Sequence, residues 1–307
     1  MVILTLFIVI LVILLVFLLT GFYFYRVAFF PRRYNRAEVI RMEVEHGKIA
    51  SFDQFNAWPH AEISIQSPYG YTLKGFYFPL EGSKKTIIFN HGITITLFGS
   101  AKYMPVFRER GYNLLVYDNR RHGESGGTFS SFGFFEKYDL KAVVDWAMQQ
   151  LGPGGLVGTH GESLGAAITL LHAAIDPRIA FAISDCSYAD SPALFRTRMQ
   201  EDYHLPAFPV VNLARLFGKT LLGFDCALSS PIRYISTVQT PILFIHGEKD
   251  TYIPCQMSQD LFNAKTTGPR RLYRVPGAGH AYAHSTNPIE YDHQVNAFLD
   301  DFVIEPA

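Results

Sequence analysis

Short apolar runs separated by helical stretches predict an α/β protein, in which a mostly parallel sheet has helices on both faces. Three observations carry that prediction. Apolar runs fall at 86–90, 112–117, 155–158, 179–183, 241–245 and 271–275. Helical patterns lie between and after them, at 100–109, 134–151, 164–175, 256–266 and 287–302. Ahead of them, 61–67 and 71–78 alternate apolar and polar residues around a turn at Pro68, Tyr69 and Gly70, which reads as an antiparallel hairpin.

Within this pattern the helix at 134–151 is clearest, because Leu140, Val143, Val144 and Ala147 recur at helical spacing and Gly152-Pro153 ends it. One stretch breaks the alternation. About fifty residues, 188–238, separate two strands; they are rich in aromatics and interrupted by Pro192, Pro206, Pro209 and Pro231. A structureless loop of that length is rare inside a compact domain, so a small helical cap over the strand ends is expected.

The first 25 residues have a different character. From Val2 to Leu19 only Thr5 is polar, and a run of about 20 apolar residues is the length a helix needs to cross a bilayer. Tyr23 and Tyr25 stand where interfacial aromatics sit, and Arg26, Arg32, Arg33 and Arg36 follow. A cleaved signal peptide is the competing reading; it needs a basic start, a shorter core and a small-residue cleavage site, none of which is present. The expected organisation is a transmembrane anchor at 1–25, a basic irregular connector at 26–58 with a helix near 38–48, and a globular domain at 59–307. All four arginines follow the span, so the positive-inside rule places that domain in the cytoplasm.

Composition narrows the function. The 307 residues carry 27 basic and 27 acidic side chains, so no basic surface points to nucleic acid. Three cysteines, Cys186, Cys226 and Cys255, are widely spaced and form no metal-binding or redox pattern. Beyond the anchor there is chain enough for one large domain.

The chemistry gathers at predicted strand ends, where α/β sheets bind ligands. Ser163 lies in Gly161-Glu162-Ser163-Leu164-Gly165, between a strand and a helix, the setting of a nucleophile elbow. A serine hydroxyl needs a base, an orienting acid and donors for the oxyanion. Two carboxylates follow strand 241–245, Asp250 and its rival Glu248. For the base, His280 follows strand 271–275 through a Gly-rich turn, with His284 and His293 as the competitors. The backbone N–H groups of Leu164 and of Ile93, in the loop after 86–90, are the candidate oxyanion donors. His91 reads as a group that holds that loop, and Asp118, Arg120, His122 and Ser125 as parts of a structured loop beside the pocket.

Taken together, His91-Gly92, Asp118-x-Arg120-x-His122-Gly123-x-Ser125, the G-x-S-x-G around Ser163, His246-Gly247-x-x-Asp250-x-x-x-Pro254 and Gly277-x-Gly279-His280 resemble the α/β-hydrolase superfamily. Within it the chain is most similar to the Bem46-like and prolyl-oligopeptidase-like serine hydrolases, including membrane-anchored bacterial members. The resemblance runs from about residue 60 to the end of the chain. It implies an α/β-hydrolase fold, a triad of Ser163, Asp250 and His280 (Asp250 rather than Glu248), and no cofactor or metal. It departs at Arg121-His122, where many relatives have arginine then glycine. The expected activity is cleavage of a carboxylic ester from a small-molecule or lipid-like acyl substrate, with a prolyl-oligopeptidase-like peptidase as the alternative and a catalytically inactive membrane scaffold as a third reading.

Overall fold

The computed structural model describes residues 1–304 and Pro306. Its centre is an eight-stranded sheet: β1 (Ala61–Gln66), β2 (Thr72–Phe78), β3 (Lys85–Asn90), β4 (Asn113–Tyr117), β5 (Leu156–Glu162), β6 (Phe181–Asp185), β7 (Ile242–Gly247) and β8 (Arg270–Val275). The spatial order is β1-β2-β4-β3-β5-β6-β7-β8. β1 and β2 form the antiparallel hairpin, β2 runs antiparallel to β4, and every other pairing is parallel. β3 to β7 are buried along almost their whole length, which is why they read as continuous apolar runs rather than as alternation.

The helices are α1 (Val2–Phe29), α2 (Arg36–Glu45), α3 (Asp53–Ala57), α4 (Met104–Glu109), α5 (Glu136–Leu151), α6 (Leu164–Ala173), α7 (Ser191–Tyr203), α8 (Val210–Leu221), α9 (Gln256–Ala264), α10 (Ala283–Thr286) and α11 (Pro288–Phe302). α5 and α6 cover one face of the sheet, where Leu140, Val144 and Ile168 meet Ile88, Leu115 and Val157. α4 and α11 cover the other, where Phe107, Val295 and Phe298 meet Phe89, Val116 and Ile245. The stretch 188–238 holds α7, α8 and three short 3-10 turns above the strand ends.

Two features differ from the sequence expectation. α1 continues to Phe29, and its last turns are docked: Phe24, Tyr25 and Phe29 are buried against α7 and α8. A Cβ on Gly21 would meet Leu213 Cβ at 2.5 Å, so glycine lets α1 and α8 approach closely there. The segment 26–58 is part of the fold rather than an irregular connector. Asn35 caps α2 in a reciprocal box with Glu38, and Val39, Phe52 and Phe55 enter the core. Arg33 donates to the carbonyls of Gly123 and Ser125, both at 2.7 Å, and Arg36 pairs with Glu124 at 3.1 Å. α1 is the one helix among the described residues long and apolar enough to cross a membrane, and Val2–Leu19 stands exposed outside the fold.

Candidate active site

Ser163 sits between β5 and α6 with φ 56° and ψ −116°, a left-handed conformation that a side chain adopts only under constraint. The flanking glycines make that turn possible. A Cβ on Gly161 would lie 2.2 Å from the Gly165 carbonyl oxygen, and one on Gly165 would lie 2.0 Å from that of Asn90. Any side chain at either position would push the helix off the strand or the β3 loop off the serine. The Ser163 N–H donates to the Asp185 carbonyl at 2.8 Å, fixing the turn to β6.

The three residues predicted to work together meet here. His280 Nε2 lies 3.0 Å from Ser163 Oγ, and His280 Nδ1 lies 2.7 Å from Asp250 Oδ2. Asp250 Oδ1 accepts the backbone N–H groups of Tyr252 and Ile253, each at 2.8 Å. Burial pushes the Asp250 carboxyl up, but hydrogen bonds from His246 and His280 outweigh it and hold the group well below the usual carboxylate range. An ionised Asp250 accepts from Nδ1–H and leaves Nε2 free to accept from the serine. Glu248 faces solvent instead, paired with Arg274 at 3.5 Å. His284 is packed between Tyr103 and Tyr291, and His293 is exposed.

Leu164 is the first residue of α6, so its N–H has no carbonyl one turn back and is available beside Ser163. The loop carrying Ile93 comes within reach of it: a Cβ on Gly92 would touch Ser163 Cβ at 3.4 Å. His91 holds that loop. Its Nε2 accepts the Asn119 N–H at 2.9 Å, so Nδ1 carries the proton donated to the Gly92 carbonyl at 2.7 Å, and burial lowers its pKa to about 4. Ser125 donates to the Asp118 carbonyl and receives the Lys74 N–H, a structural hydroxyl with no base beside it.

A cavity of about 300 Å3 opens under the cap; the triad side chains do not line it, and Ile93 and Tyr252 connect it to them. The Tyr252 ring packs 5.0 Å from that of His280, and the Arg198 guanidinium lies 4.7 Å over Tyr252. The cavity walls are mostly apolar, and part of them belongs to α1.

Sequence reasoning missed three things. His246 is buried and steadies the acid: its Nε2–H points to the Ile253 carbonyl at 2.8 Å and Asp250 Oδ2 at 3.1 Å, while Nδ1 accepts from Ser258 Oγ at 2.6 Å. Its place in the His246-Gly247 motif was the available signal. Second, a buried ion cluster lies directly under the elbow. Lys102 Nζ is 2.6 Å from Glu162 and 3.7 Å from Glu43 of α2, and Tyr103 donates to Glu162 at 2.6 Å. Despite burial, the Lys102 ammonium holds the Glu162 carboxyl below its ordinary range. Nothing in the sequence paired residues 43, 102 and 162. Third, Cys186 Sγ lies within 4.8 Å of ligand atoms of Asp250 and His280. Those two groups are already hydrogen-bonded to each other, and burial pushes the Cys186 thiol far from its thiolate, so the trio fits packing better than a metal site.

Fold and site together define a serine hydrolase of the α/β-hydrolase type. The chain belongs to the α/β-hydrolase superfamily, in a group with the uncharacterised protein YqkD of Bacillus subtilis, to which it is 35% identical over 283 residues, 92% of either chain. The family profile for X-Pro dipeptidyl-peptidases of the S15 family matches residues 36–206, and that of the dienelactone hydrolase family matches 208–298. The lysophosphatidylserine lipase ABHD12 of Danio rerio is 25% identical over 239 residues, 74% of this chain and 60% of that protein. Among solved structures, the Pyrococcus furiosus esterase Pf2001 superposes with a TM-score of 0.68 at 22% identity, over 82% of this chain and 96% of that one, a likeness of fold.

Proposed function

We propose that the protein is a single-pass membrane-anchored serine hydrolase that cleaves a carboxylic ester through an acyl-enzyme on Ser163. The observation that carries this reading is the unbroken hydrogen-bond chain Ser163–His280–Asp250 beside an apolar cavity. His280 Nε2 takes the hydroxyl proton as Ser163 Oγ bonds to the ester carbonyl carbon. The tetrahedral oxyanion is held by the Ile93 and Leu164 N–H groups. Collapse breaks the C–O bond, and the leaving alcohol takes the proton from His280. Water then enters, gives a proton to His280 and attacks the acyl carbon; Ser163 leaves with that proton, and the carboxylic acid is released.

Anchoring is supported by the exposed apolar span Val2–Leu19 and by the cap beside it, where Phe208, Leu216 and Leu221 are exposed. The arginines beyond the span favour a cytoplasmic catalytic domain. The S15 family match favours a second reading, a peptidase acting on a prolyl amide through the same residues.

Fluorophosphonate labelling of wild type and Ser163→Ala is the first test, and label that survives the substitution would remove Ser163 from the reaction. Turnover of p-nitrophenyl esters set against prolyl anilides then decides between ester and amide. Retention in the membrane pellet after alkaline carbonate is expected; release would refute anchoring.

A further inference from the structure

The last turns of α1 are built into the cavity that Ile93 and Tyr252 connect to the triad. Phe24 and Ala28 line it from α1, facing Leu194 of α7 and Val211 and Ala214 of α8. Phe24 and Ala28 follow Leu19, the end of the exposed apolar span, by about one and a half and two and a half turns. They are held there by aromatic packing: Phe24 against Tyr203 at 4.7 Å, Phe22 against Phe217 at 5.5 Å and Phe29 against Phe224 at 5.5 Å. A helix that served only as a tether would need none of these contacts.

The cavity itself limits the occupant. Its lining is largely aliphatic and aromatic, and about 300 Å3 is at the small end for a ligand pocket. That suits one aliphatic chain and not two. Arg198, paired with Asp202 at 3.0 Å, and Arg32, paired with Glu38 at 3.4 Å, give the same space a polar side of balanced charge, so the occupant has an apolar tail and a polar end.

Resting on the ester-hydrolase reading above, we propose that the last turns of α1 form part of the acyl-binding site and select an ester with a single aliphatic chain of medium to long length. Phe24 and Ala28 are then specificity-determining residues, and the anchor is a working wall of the enzyme.

The experiment uses the full-length protein in detergent micelles and reads the laurate-to-acetate ratio of kcat/KM for p-nitrophenyl esters. Ala28→Trp and Ala214→Trp fill the cavity from opposite sides. Each should lower the ratio by about tenfold or more, since a pocket distinguishes chains by the methylenes it can hold. Phe24→Ala enlarges the cavity and should move the preferred chain length upward. It also serves if a tryptophan variant fails to fold. Leu15→Trp, on the exposed face of α1, should leave the ratio unchanged. Unchanged ratios in the folded cavity variants, with wild type turning over both esters, would overturn this inference alone. A wild-type protein that labels at Ser163 yet cleaves neither ester would overturn the ester reading beneath it.

Discussion

Replacing Lys102 by methionine would probe the ion cluster under Ser163. The Lys102 side chain is 2% exposed, that of Glu162 4% and that of Glu43 3%, so two carboxylates share one ammonium out of contact with water. Removing one partner of a buried pair leaves an uncompensated charge and costs about 3–5 kcal/mol. For a domain of this size that is a fall in Tm of roughly 6–20 °C. The loss has a predictable pH dependence. In the wild type the Glu162 pKa is depressed, so its contribution is present above the unfolded value and is lost as pH falls through the folded one. In the variant, burial without the lysine raises that pKa, so the carboxyl is penalised increasingly as pH rises. The difference between the two proteins should therefore be largest at pH 7–8 and shrink toward pH 4. Thermal unfolding followed by near-UV circular dichroism at several pH values measures it. The double variant Lys102→Met/Glu162→Gln should recover part of the loss, because Glu162 then strands no charge, while burial, which already raises the Glu43 pKa, favours a protonated Glu43. A Tm change of under about 2 °C, or one equal at pH 5 and pH 8, would refute the account.

Other expectations concern the elbow, the triad and the buried acids. Gly165→Ala places a Cβ 2.0 Å from the Asn90 carbonyl oxygen, so fluorophosphonate labelling should be lost together with at least about 2 kcal/mol of stability. Asp250→Asn should lower kcat by about 10⁴-fold while the protein stays folded, because the imidazole then settles in the wrong tautomer. His246→Gln removes a donor to Asp250 and should cost about 1.5–3 kcal/mol, seen in kcat far more than in KM; an effect on KM alone would show that His246 does not act through the acid. Asp139 and Asp185 are raised to about 7, by burial first, so the folded protein binds more protons than the unfolded chain between about pH 4 and pH 7. Their contribution falls as pH rises through that window, and Asp185→Asn should flatten the decline measured by thermal unfolding; an unchanged slope would exclude Asp185 as its source.

The parallel sheet was legible because β3 to β7 are buried on both faces and so appear as unbroken apolar runs of strand length. Ser163 was legible because it follows such a run through a glycine-flanked turn, and His280 because it follows the β8 strand through a glycine-rich one; position alone left Asp250 and Glu248 as rivals after β7, and the family resemblance chose Asp250. The structure puts their side chains 3.0 and 2.7 Å apart. Segment 26–58 was misread as irregular because its composition is basic and its helices short. Val39 and Phe55 reveal their role only through partners far along the chain, such as Phe98 and Phe78.

What the sequence determined by itself was local and periodic: the strand and helix pattern, the strained glycine-flanked serine and the apolar span of α1. These follow from backbone sterics and from the spacing of apolar side chains, which need no knowledge of distant residues. The tertiary structure decided everything that depends on long-range meeting. It buried Lys102 between Glu43 and Glu162, set His246 behind Asp250, and docked the end of α1 into the wall of the cavity. Such contacts arise from packing across tens to hundreds of residues, and no periodicity along the chain encodes them.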